Sequence, residues 1–554
     1  MPQQKTKLEL TWIGKENRPR LEPRILLEDS EKSYSASTAD TDYYDNRLIF
    51  GDNLLALKAL EQEFYGKVKC IYIDPPYNTG SAFESYDDGV EHSLWLSLMR
   101  ERLVLLWSLL SLDNGVLLIS INDDECHYLK VLCDELFGRN AFISTLVWNY
   151  EGNTDNQAKI INYHEYILVY SKTGKIDHPE VIDPNVSSSS KLFNDTIRNT
   201  IIKNGPKNPV KTVELPIGFP TNFSEGIIRC NNVEWPKYNE DLIISNFKLT
   251  NPVQATTGWS SRAILENFIN NNFEFVADSK GQKTTFELTN TGAIEAIKIR
   301  EQKKGHFLSV LRGFGTTNQM RILLGKMGIK FTYPKPVDLI AYLIKAFSNP
   351  GDIILDSFAG SGTTAHAVLE LNKNEVNPRK FILVEINETT VNEVILPRLK
   401  AVISGHPAAN IAATGGGFKY YRLAPSLLEK DKWDNWIISK KYNAPMLSEA
   451  ICKLEGFTYA PSETIYWQQG YSTENDYIYV TTNHLTHEHL QRLSEEVGDG
   501  RSLLVLCASF KTPNIDVFPN LTVKKIPQAI LNRCEWGHDD YSLNVSPTLE
   551  NEIV

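Results

Sequence analysis

The sequence has no long hydrophobic run and few cysteines, and both absences exclude classes of protein. Its 554 residues are 42% hydrophobic and 23% charged, and no apolar run approaches the roughly 20 residues that span a bilayer. No membrane role is expected. The seven cysteines are scattered without a Cys-x-x-Cys pair, which is typical of reduced thiols and argues against a disulfide framework.

Two further absences concern energy-driven motion and metals. The chain has no Gly-x-x-x-x-Gly-Lys-Ser/Thr loop, so any ATP-driven translocation or DNA cleavage would need a partner chain. His484, His487 and His489 cluster near a predicted helix start, but no cysteine or carboxylate set completes a ligand shell, and no metal is predicted. The first residues lack the apolar stretch of a signal peptide, which predicts a cytoplasmic protein.

Charge is divided unevenly along the chain. The net charge is -11, but residues 151–330 carry 22 Lys and Arg against 18 Asp and Glu, a balance of +4. The remainder has 35 against 50, a balance of -15. The basic middle gives weak support for contact with nucleic acid, because a solvated surface often has such a balance.

The order of predicted elements indicates an α/β fold. Strand and helix signals alternate over residues 46–172 and again over 326–425, as in a parallel sheet with helical crossovers. Residues 173–325 form a loop-rich insert, rich in Asn, Pro and Gly. We therefore predict an N-terminal arm (1–45), two halves of one domain around the insert, and a small α/β domain at 426–554.

A glycine turn follows the predicted strand Ile353–Asp356. Gly360 and Gly362 precede Thr363 at a predicted helix start, where the backbone and bare N–H groups can approach a ligand. Glu385 ends the next predicted strand, in position to accept hydrogen bonds from ribose hydroxyls. Asp356 either faces an amino group or sulfonium of the ligand or caps the turn. The Gly-x-Gly-x-x-Ala pattern is also a nicotinamide-dinucleotide fingerprint.

A second motif, Asp74-Pro75-Pro76-Tyr77, lies at the end of a predicted strand almost 280 residues earlier. If the Asp74 carboxylate and the Pro75 carbonyl accept the two hydrogens of an exocyclic amine, the nitrogen lone pair turns toward an incoming methyl group. Two prolines stiffen the tip, and Tyr77 offers a π face to a base taken out of the stack. The alternative is a simple turn, since four residue types here favour turns.

These motifs and several others resemble the β-group of DNA amino-methyltransferases, most closely the modification subunits of type III restriction-modification systems. The matching stretches cover residues 8 to about 422: Leu10–Lys15, Arg18–Arg24, Gly51–Leu57, Tyr72–Gly80, His92–Leu96, His164–Tyr170, Tyr333–Pro336 and Ile354–Thr364. The resemblance implies a circularly permuted, Rossmann-like methyltransferase sheet, with the catalytic motif first and the cofactor motif last. It also implies that the insert is a target-recognition domain.

The resemblance also implies roles for individual residues. A pocket for S-adenosylmethionine would be lined by Asp52, Lys335, Asp356, Phe358, Gly360, Gly362, Thr363 and Glu385. The target amine would be held by Asp74, Pro75, Pro76 and Tyr77. Trp148 is a candidate for the second face of the base sandwich, with a buried core tryptophan as the equal alternative. An aspartate at position 74 favours adenine over cytosine as the target.

The sequence thus predicts a site-specific methyltransferase that modifies the N6 amino group of adenine in double-stranded DNA. The resemblance implies a homodimer that binds a helicase-nuclease restriction subunit. Three alternatives stay open: an N4-cytosine DNA methyltransferase, a dinucleotide-dependent oxidoreductase, and a catalytically idle DNA-specificity module.

Overall fold

Two compact units make up the protein. The computed structural model describes residues 9–36, 45–78, 92–150, 162–177, 179–187, 189–190, 193–279, 281–299, 305–373 and 375–542. Residues 1–184 and 307–554 form one unit, here called the sheet body, and residues 185–306 form the other, the insert unit. Among the described residues, no helix is long and apolar enough to cross a membrane.

The first half of the sheet body alternates strands and helices. The strands are β1 (Leu26–Glu28), β2 (Tyr34–Ser35), β3 (Arg47–Phe50), β4 (Cys70–Ile73), β5 (Val116–Ile121), β6 (Phe142–Asn149) and β7 (His164–Ser171). The helices are α1 (Asn53–Phe64), α2 (His92–Leu109) and α3 (Asp123–Phe137), followed by a 3₁₀ turn at Arg139–Ala141. Helix α3 begins after an Asn122 cap and ends at Gly138, as side-chain capping and a left-handed glycine favour.

The insert unit is mainly antiparallel. Its elements are β8 (Thr196–Thr200), β9 (Val210–Leu215), β10 (Glu225–Ile228), β11 (Lys237–Tyr238), β12 (Leu242–Ser245), β13 (Lys248–Leu249), β14 (Val253–Gly258), α4 (Arg262–Asn270), β15 (Val276–Ala277), β16 (Lys283–Leu288) and β17 (Ile294–Ile299), with a 3₁₀ turn at Cys230–Asn232. They form small sheets of three, three and four strands. Buried aromatic and aliphatic side chains, among them Phe219, Phe268 and Phe286, give this unit its own core.

The second half of the sheet body carries the glycine turn. Its elements are β18 (Val310–Leu311), α5 (Thr317–Lys326), α6 (Val337–Phe347), β19 (Ile353–Asp356), α7 (Thr363–Asn372), β20 (Lys380–Glu385), α8 (Glu388–Thr390), a π-helical turn (Val391–Ile395), α9 (Leu396–Ser404), a 3₁₀ turn (Pro407–Ala409) and β21 (Gly417–Leu423). Met320 and Leu324 of α5 enter the core of the sheet body. Val181 packs in the same core, so the insert unit is shorter at both ends, at 185–306, than the 173–325 predicted from composition.

Eleven strands from the described part of the chain form one mixed sheet, with the order β1-β21-β3-β20-β19-β4-β5-β7-β6-β18 and β2 paired to β21. The central neighbours, from β21 to β5, are parallel. Strand β19 lies directly beside β4, with Leu355 opposite Ile71. The α/β prediction is confirmed, and the two motifs that are far apart in sequence follow adjacent strands. Apolar cores cover both faces of this sheet.

The C-terminal segment adds a smaller α/β layer. Its elements are β22 (Leu428–Lys430), β23 (Trp436–Ile438), α10 (Ala444–Glu455), β24 (Thr458–Tyr459), β25 (Gly470–Thr473), β26 (Asp476–Val480), β27 (His484–Thr486), α11 (His487–Val497), β28 (Ser502–Cys507), β29 (Ser509–Lys511) and β30 (Leu521–Lys525). The main sheet has the order β24-β25-β26-β28-β30. The described part of the N-terminal arm packs on the body: Trp12 Nε1 donates to Ser97 Oγ, and Arg24 donates to the carbonyls of Ala424 and His538.

Candidate active site

The Asp-Pro-Pro-Tyr tip follows β4 at the carboxyl end of the parallel strands. The carbonyl of Pro76 accepts a hydrogen bond from Trp95 Nε1 at 2.7 Å, and Pro75 is buried. Asn78 adopts a left-handed conformation with φ of 56° and donates to Glu125 Oε1. These contacts fix the tip from both sides. Residues 79 and 80, the end of the predicted motif, lie outside the described residues.

Lys335 brings the two motifs together. Its ammonium Nζ lies 3.0 Å from Asp74 Oδ1 and 2.9 Å from the Tyr77 hydroxyl. Its carbonyl accepts a hydrogen bond from Thr363 Oγ1, at the start of helix α7. One residue thus contacts the Asp-Pro-Pro-Tyr tip through its side chain and the glycine turn through its backbone.

Glu165, which the motif analysis did not single out, completes this cluster. Its Oε2 lies 3.1 Å from Lys335 Nζ and accepts from the Tyr77 hydroxyl at 3.0 Å. Burial alone would lower the pKa of Lys335, but the charges of Asp74 and Glu165 outweigh burial and raise it. Burial and the same two carboxylates raise the pKa of Tyr77 well above its usual value. Lys335 is therefore a cation and Tyr77 a neutral hydroxyl. Two sequence signals could have found it: Glu165 lies in the matching stretch His164–Tyr170, and it is an acid near the start of the buried strand β7.

The glycine turn is tied to both neighbouring strands. Gly360 and Gly362 have positive φ values of 50° and 75°, conformations that glycine adopts at little cost. Asp356 accepts hydrogen bonds from Phe358 N–H and from Thr364 Oγ1. Glu385 Oε2 accepts from Gly360 N–H. The turn is held from within, as expected of a preformed ligand site.

A buried arginine supports the same turn and was missed by sequence reasoning. Arg398 Nη1 donates to the carbonyl and hydroxyl of Ser361 and to Thr363 Oγ1, at 2.9 to 3.0 Å. Its side chain is fully buried, and burial lowers its pKa to about 9. Nothing in the local sequence marks it, because Arg398 lies on helix α9, beyond the next strand.

Three predicted site residues, Asp52, Phe358 and Trp148, have contacts within the protein that differ from those of an open ligand pocket. Asp52 caps helix α1, and its carboxylate accepts from Leu55 N–H and from Arg102, which also bonds the Tyr541 carbonyl. The Tyr541 N–H donates to the same carboxylate at 3.0 Å. Phe358 is buried in the apolar core on one face of the sheet.

Trp148 is the third of these residues, and its side chain is only 1% exposed. It packs in the core on the opposite face of the sheet from Phe358, with its ring centroid 6.0 Å from Lys335 Nζ. Its indole Nε1 has no hydrogen-bond partner among the described residues. This burial favours the core alternative, and the base-stacking role stays a prediction.

Comparison with known proteins decides the family. A family model described as DNA methylase matches residues 68–395, which include the tip, the insert and the glycine turn. The chain belongs to this family of DNA methylases. The assignment favours methyl transfer over the oxidoreductase alternative, and S-adenosylmethionine is the methyl donor of the family.

Three relatives of this DNA methylase are Mod subunits of type III restriction-modification enzymes. The EcoPI subunit of Escherichia phage P1 is 30% identical, over 74% of this chain and 70% of its own length. The StyLTI subunit of Salmonella typhimurium is 29% identical, over 75% and 65%. The EcoP15I subunit of Escherichia coli is 27% identical, over 76% and 72%.

The residues present fit S-adenosylmethionine, which carries a positive sulfonium, an amino group and ribose hydroxyls. Burial raises the pKa values of Asp356 and Glu385 to about 7, so a cationic, hydrogen-bond-donating ligand would favour their ionised forms. The hydroxyl of Ser357, beside the turn, is buried without a partner among the described residues. Within the described residues, no cluster of metal-binding side chains is present.

Proposed function

We propose that this chain is the modification subunit of a type III restriction-modification system and methylates the N6 amino group of adenine in double-stranded DNA. The observation that carries the proposal is the position of Lys335. It joins the Asp74 carboxylate to the glycine turn, so the amine-binding tip and the methyl-donor site share one cluster of groups.

In this proposal the residues divide into two sets. Asp356, Phe358, Gly360, Gly362, Thr363 and Glu385 hold S-adenosylmethionine, with Asp52 and Lys335 at the edge of the pocket. The bound cofactor supplies an activated methyl group. Asp74 and the Pro75 carbonyl accept the hydrogens of the target amine, Pro76 stiffens the tip, and Tyr77 stacks on the extruded base.

The Asp74 carboxylate is suited to this task. Oδ1 accepts from the Tyr77 hydroxyl and from Lys335, while no described residue donates to Oδ2. The side chain is 25% exposed, so an incoming amine can reach it. With its hydrogens held in the plane of the carboxylate and the carbonyl, the amine nitrogen presents its lone pair to the methyl group. The lost proton passes to the carboxylate.

The insert unit is the proposed target-recognition domain. At the tip of its β12–β13 hairpin, Asn246 and Phe247 both have positive φ, and Phe247 is 57% exposed. The backbone of Phe247 is fixed by hydrogen bonds with Ser224 and Thr221. Lys248 follows on the exposed surface. A rigidly presented aromatic ring beside a cation supports contact with DNA.

The remaining parts of the proposal concern assembly. The chain is proposed to form a homodimer that acts in the cytoplasm and binds a helicase-nuclease subunit. The relatives are named as subunits of restriction-modification enzymes, which supports association with another subunit. Light scattering of the purified chain, alone and mixed with such a subunit, measures both associations.

Mapping of modified bases tests the function. The chain is expressed in a bacterial host without DNA methylation of its own, and the host genome is read by single-molecule sequencing. We expect N6-methyladenine at one recurring sequence and none with an empty vector. N4-methylcytosine would favour the cytosine alternative, and an unmodified genome would contradict the proposal.

A further inference from the structure

Glu165 is a carboxylate in the same cluster as Asp74, and none of the roles above uses it. It lies in β7 opposite Trp148 of β6, and its side chain is 16% exposed. Its Oε2 contacts the Lys335 ammonium and the Tyr77 hydroxyl. The same two groups contact Asp74 Oδ1. The two carboxylates therefore share both of their partners.

The hydrogens in this cluster can be counted. The Lys335 ammonium has three, and three acceptors lie within 3.1 Å: Asp74 Oδ1, Glu165 Oε2 and the Tyr77 oxygen. The Tyr77 hydroxyl has one hydrogen and two carboxylate acceptors, at 2.8 Å and 3.0 Å. It can bond only one carboxylate at a time, and it can move to the other without losing a hydrogen bond.

The charges of the cluster also indicate that Glu165 affects how well Asp74 can accept a hydrogen bond from an amine. Two carboxylates and one ammonium give the cluster a net charge of -1. Without the charge of Glu165, Lys335 would have Asp74 as its one carboxylate neighbour in the cluster, and the pair would be neutral. A carboxylate neutralised by a close cation is a weaker hydrogen-bond acceptor for an amine.

We propose that Glu165 is a positioning residue that retains Lys335 and accepts the Tyr77 hydroxyl when the target amine binds Asp74. Asp74 then accepts a hydrogen from the amine while the hydroxyl and the ammonium stay paired. Glu165 acts through these two groups and does not touch the base. The inference rests on the proposed function, because it assumes that an amine binds Asp74.

Substitution of the charge tests the role. Glu165→Gln keeps the size and one acceptor oxygen but loses the charge. We expect the single-turnover rate of methyl transfer to fall roughly 10- to 100-fold, as for loss of a charged hydrogen-bond partner. Dissociation constants for DNA and S-adenosylmethionine should stay within about twofold. Fluorescence of 2-aminopurine at the target position, which reports base extrusion, should also be unchanged.

Three further variants separate this role from a structural one. Glu63→Gln removes a carboxylate that pairs with Arg47 in the same unit, and it should leave the rate unchanged. Glu165→Asp keeps the charge and should retain most of the wild-type rate. This variant also tests the role of the charge if Glu165→Gln does not fold. In a Tyr77→Phe background, Glu165→Gln should cost at least about threefold less than in wild type, because one of its two links to Asp74 is gone.

The outcomes are distinguishable. A wild-type protein that methylates no DNA overturns the proposed function. A methylating wild type with an equally fast Glu165→Gln variant overturns the inference alone. The inference also fails if the rate loss comes with an equal loss of DNA or cofactor binding, or if it is the same in both Tyr77 backgrounds.

Discussion

The carboxylate of Glu385 accepts a hydrogen bond from the backbone N–H of Gly360 at 2.8 Å. Its other oxygen accepts from the N–H of Asn387. The end of β20 is thereby joined to the turn that follows β19. Because both groups lie at the carboxyl edge of the parallel strands, a ligand at this edge would meet a turn that is already formed.

Cofactor binding should strengthen as the pH rises through about 7. Burial raises the pKa values of Asp356 and Glu385 to about 7, so below that pH both are largely protonated. A cationic ligand favours the ionised carboxylates, and its binding releases protons. Each proton released increases the affinity by up to about tenfold per pH unit below the pKa.

Isothermal titration calorimetry with S-adenosylmethionine from pH 6 to 8.5, in buffers of different ionisation enthalpy, measures both the affinity and the proton count. The Glu385→Gln variant should show weaker binding and a shallower pH dependence. An affinity that is constant across this range would argue against the pairing of these carboxylates with the cofactor.

Asp74→Ala should abolish methylation while cofactor binding survives. The carboxylate acts on the target amine, and in the structure it contacts Tyr77 and Lys335 and not the glycine turn. Methylation is measured by transfer of a labelled methyl group to DNA, and cofactor affinity by calorimetry. If the variant no longer binds the cofactor, the division of the site into two sets is wrong. Unchanged methylation of DNA in cells that carry the variant would instead support the idle-module alternative, because another enzyme would then supply the methyl transfer.

Arg398→Met should destabilise the glycine turn. The substitution removes the hydrogen bonds to Ser361 and Thr363 and leaves those acceptors buried. We expect the free energy of unfolding to fall by about 1.5–3 kcal/mol, the range for hydrogen bonds to a charged group, and cofactor affinity to fall as well. Urea unfolding measures the first effect. The exposed Arg422→Met is the matched control; equal midpoints for the two variants would refute the prediction.

Trp148→Ala should reduce stability by about 3–5 kcal/mol, as truncation of a large buried aromatic side chain does. The residue packs with Leu146, Ile167 and other buried groups in one core of the sheet body. Unfolding by urea checks the value. A nearly unchanged stability together with loss of the 2-aminopurine signal would support base stacking as the main role of Trp148.

Exchange of residues 185–306 for the corresponding unit of a relative should change the DNA sequence that is methylated. The exchanged segment has a core of its own, so the sheet body keeps its packing. Single-molecule sequencing of host DNA reads the new sequence. Retention of the original methylated sequence after the exchange would assign recognition to another part of the chain.

Local patterns predicted several strands of the sheet body closely, but helices α3 and α5 were not predicted. Aliphatic runs predict strands at Val116–Ile121 and Ile353–Asp356, which are the bounds of β5 and β19, because such runs mark buried parallel strands. The predicted strand Leu48–Phe50 begins one residue after β3 does. The apolar and aromatic residues of Val147–Tyr150 predict a further strand, and in the structure this strand runs from Phe142 to Asn149. Its first half, Phe142–Thr145, has two apolar residues followed by two polar ones and so lacks a continuous apolar run. In the C-terminal segment, the predicted strands Tyr477–Val480, Leu503–Cys507 and Leu521–Ile526 lie within one residue of β26, β28 and β30. The shorter strands and helix α10 were not predicted.

The sequence by itself determined the fold class and both motifs, because hydrophobic periodicity and turn residues act over a few neighbouring positions. Only the tertiary structure decided which distant groups meet. The sheet order places β19 beside β4, and this brings Lys335 within 2.9 Å of Tyr77 across 258 residues. The contacts of Glu165 and Arg398 have the same origin: they depend on which strands and helices become neighbours, and no local pattern encodes that.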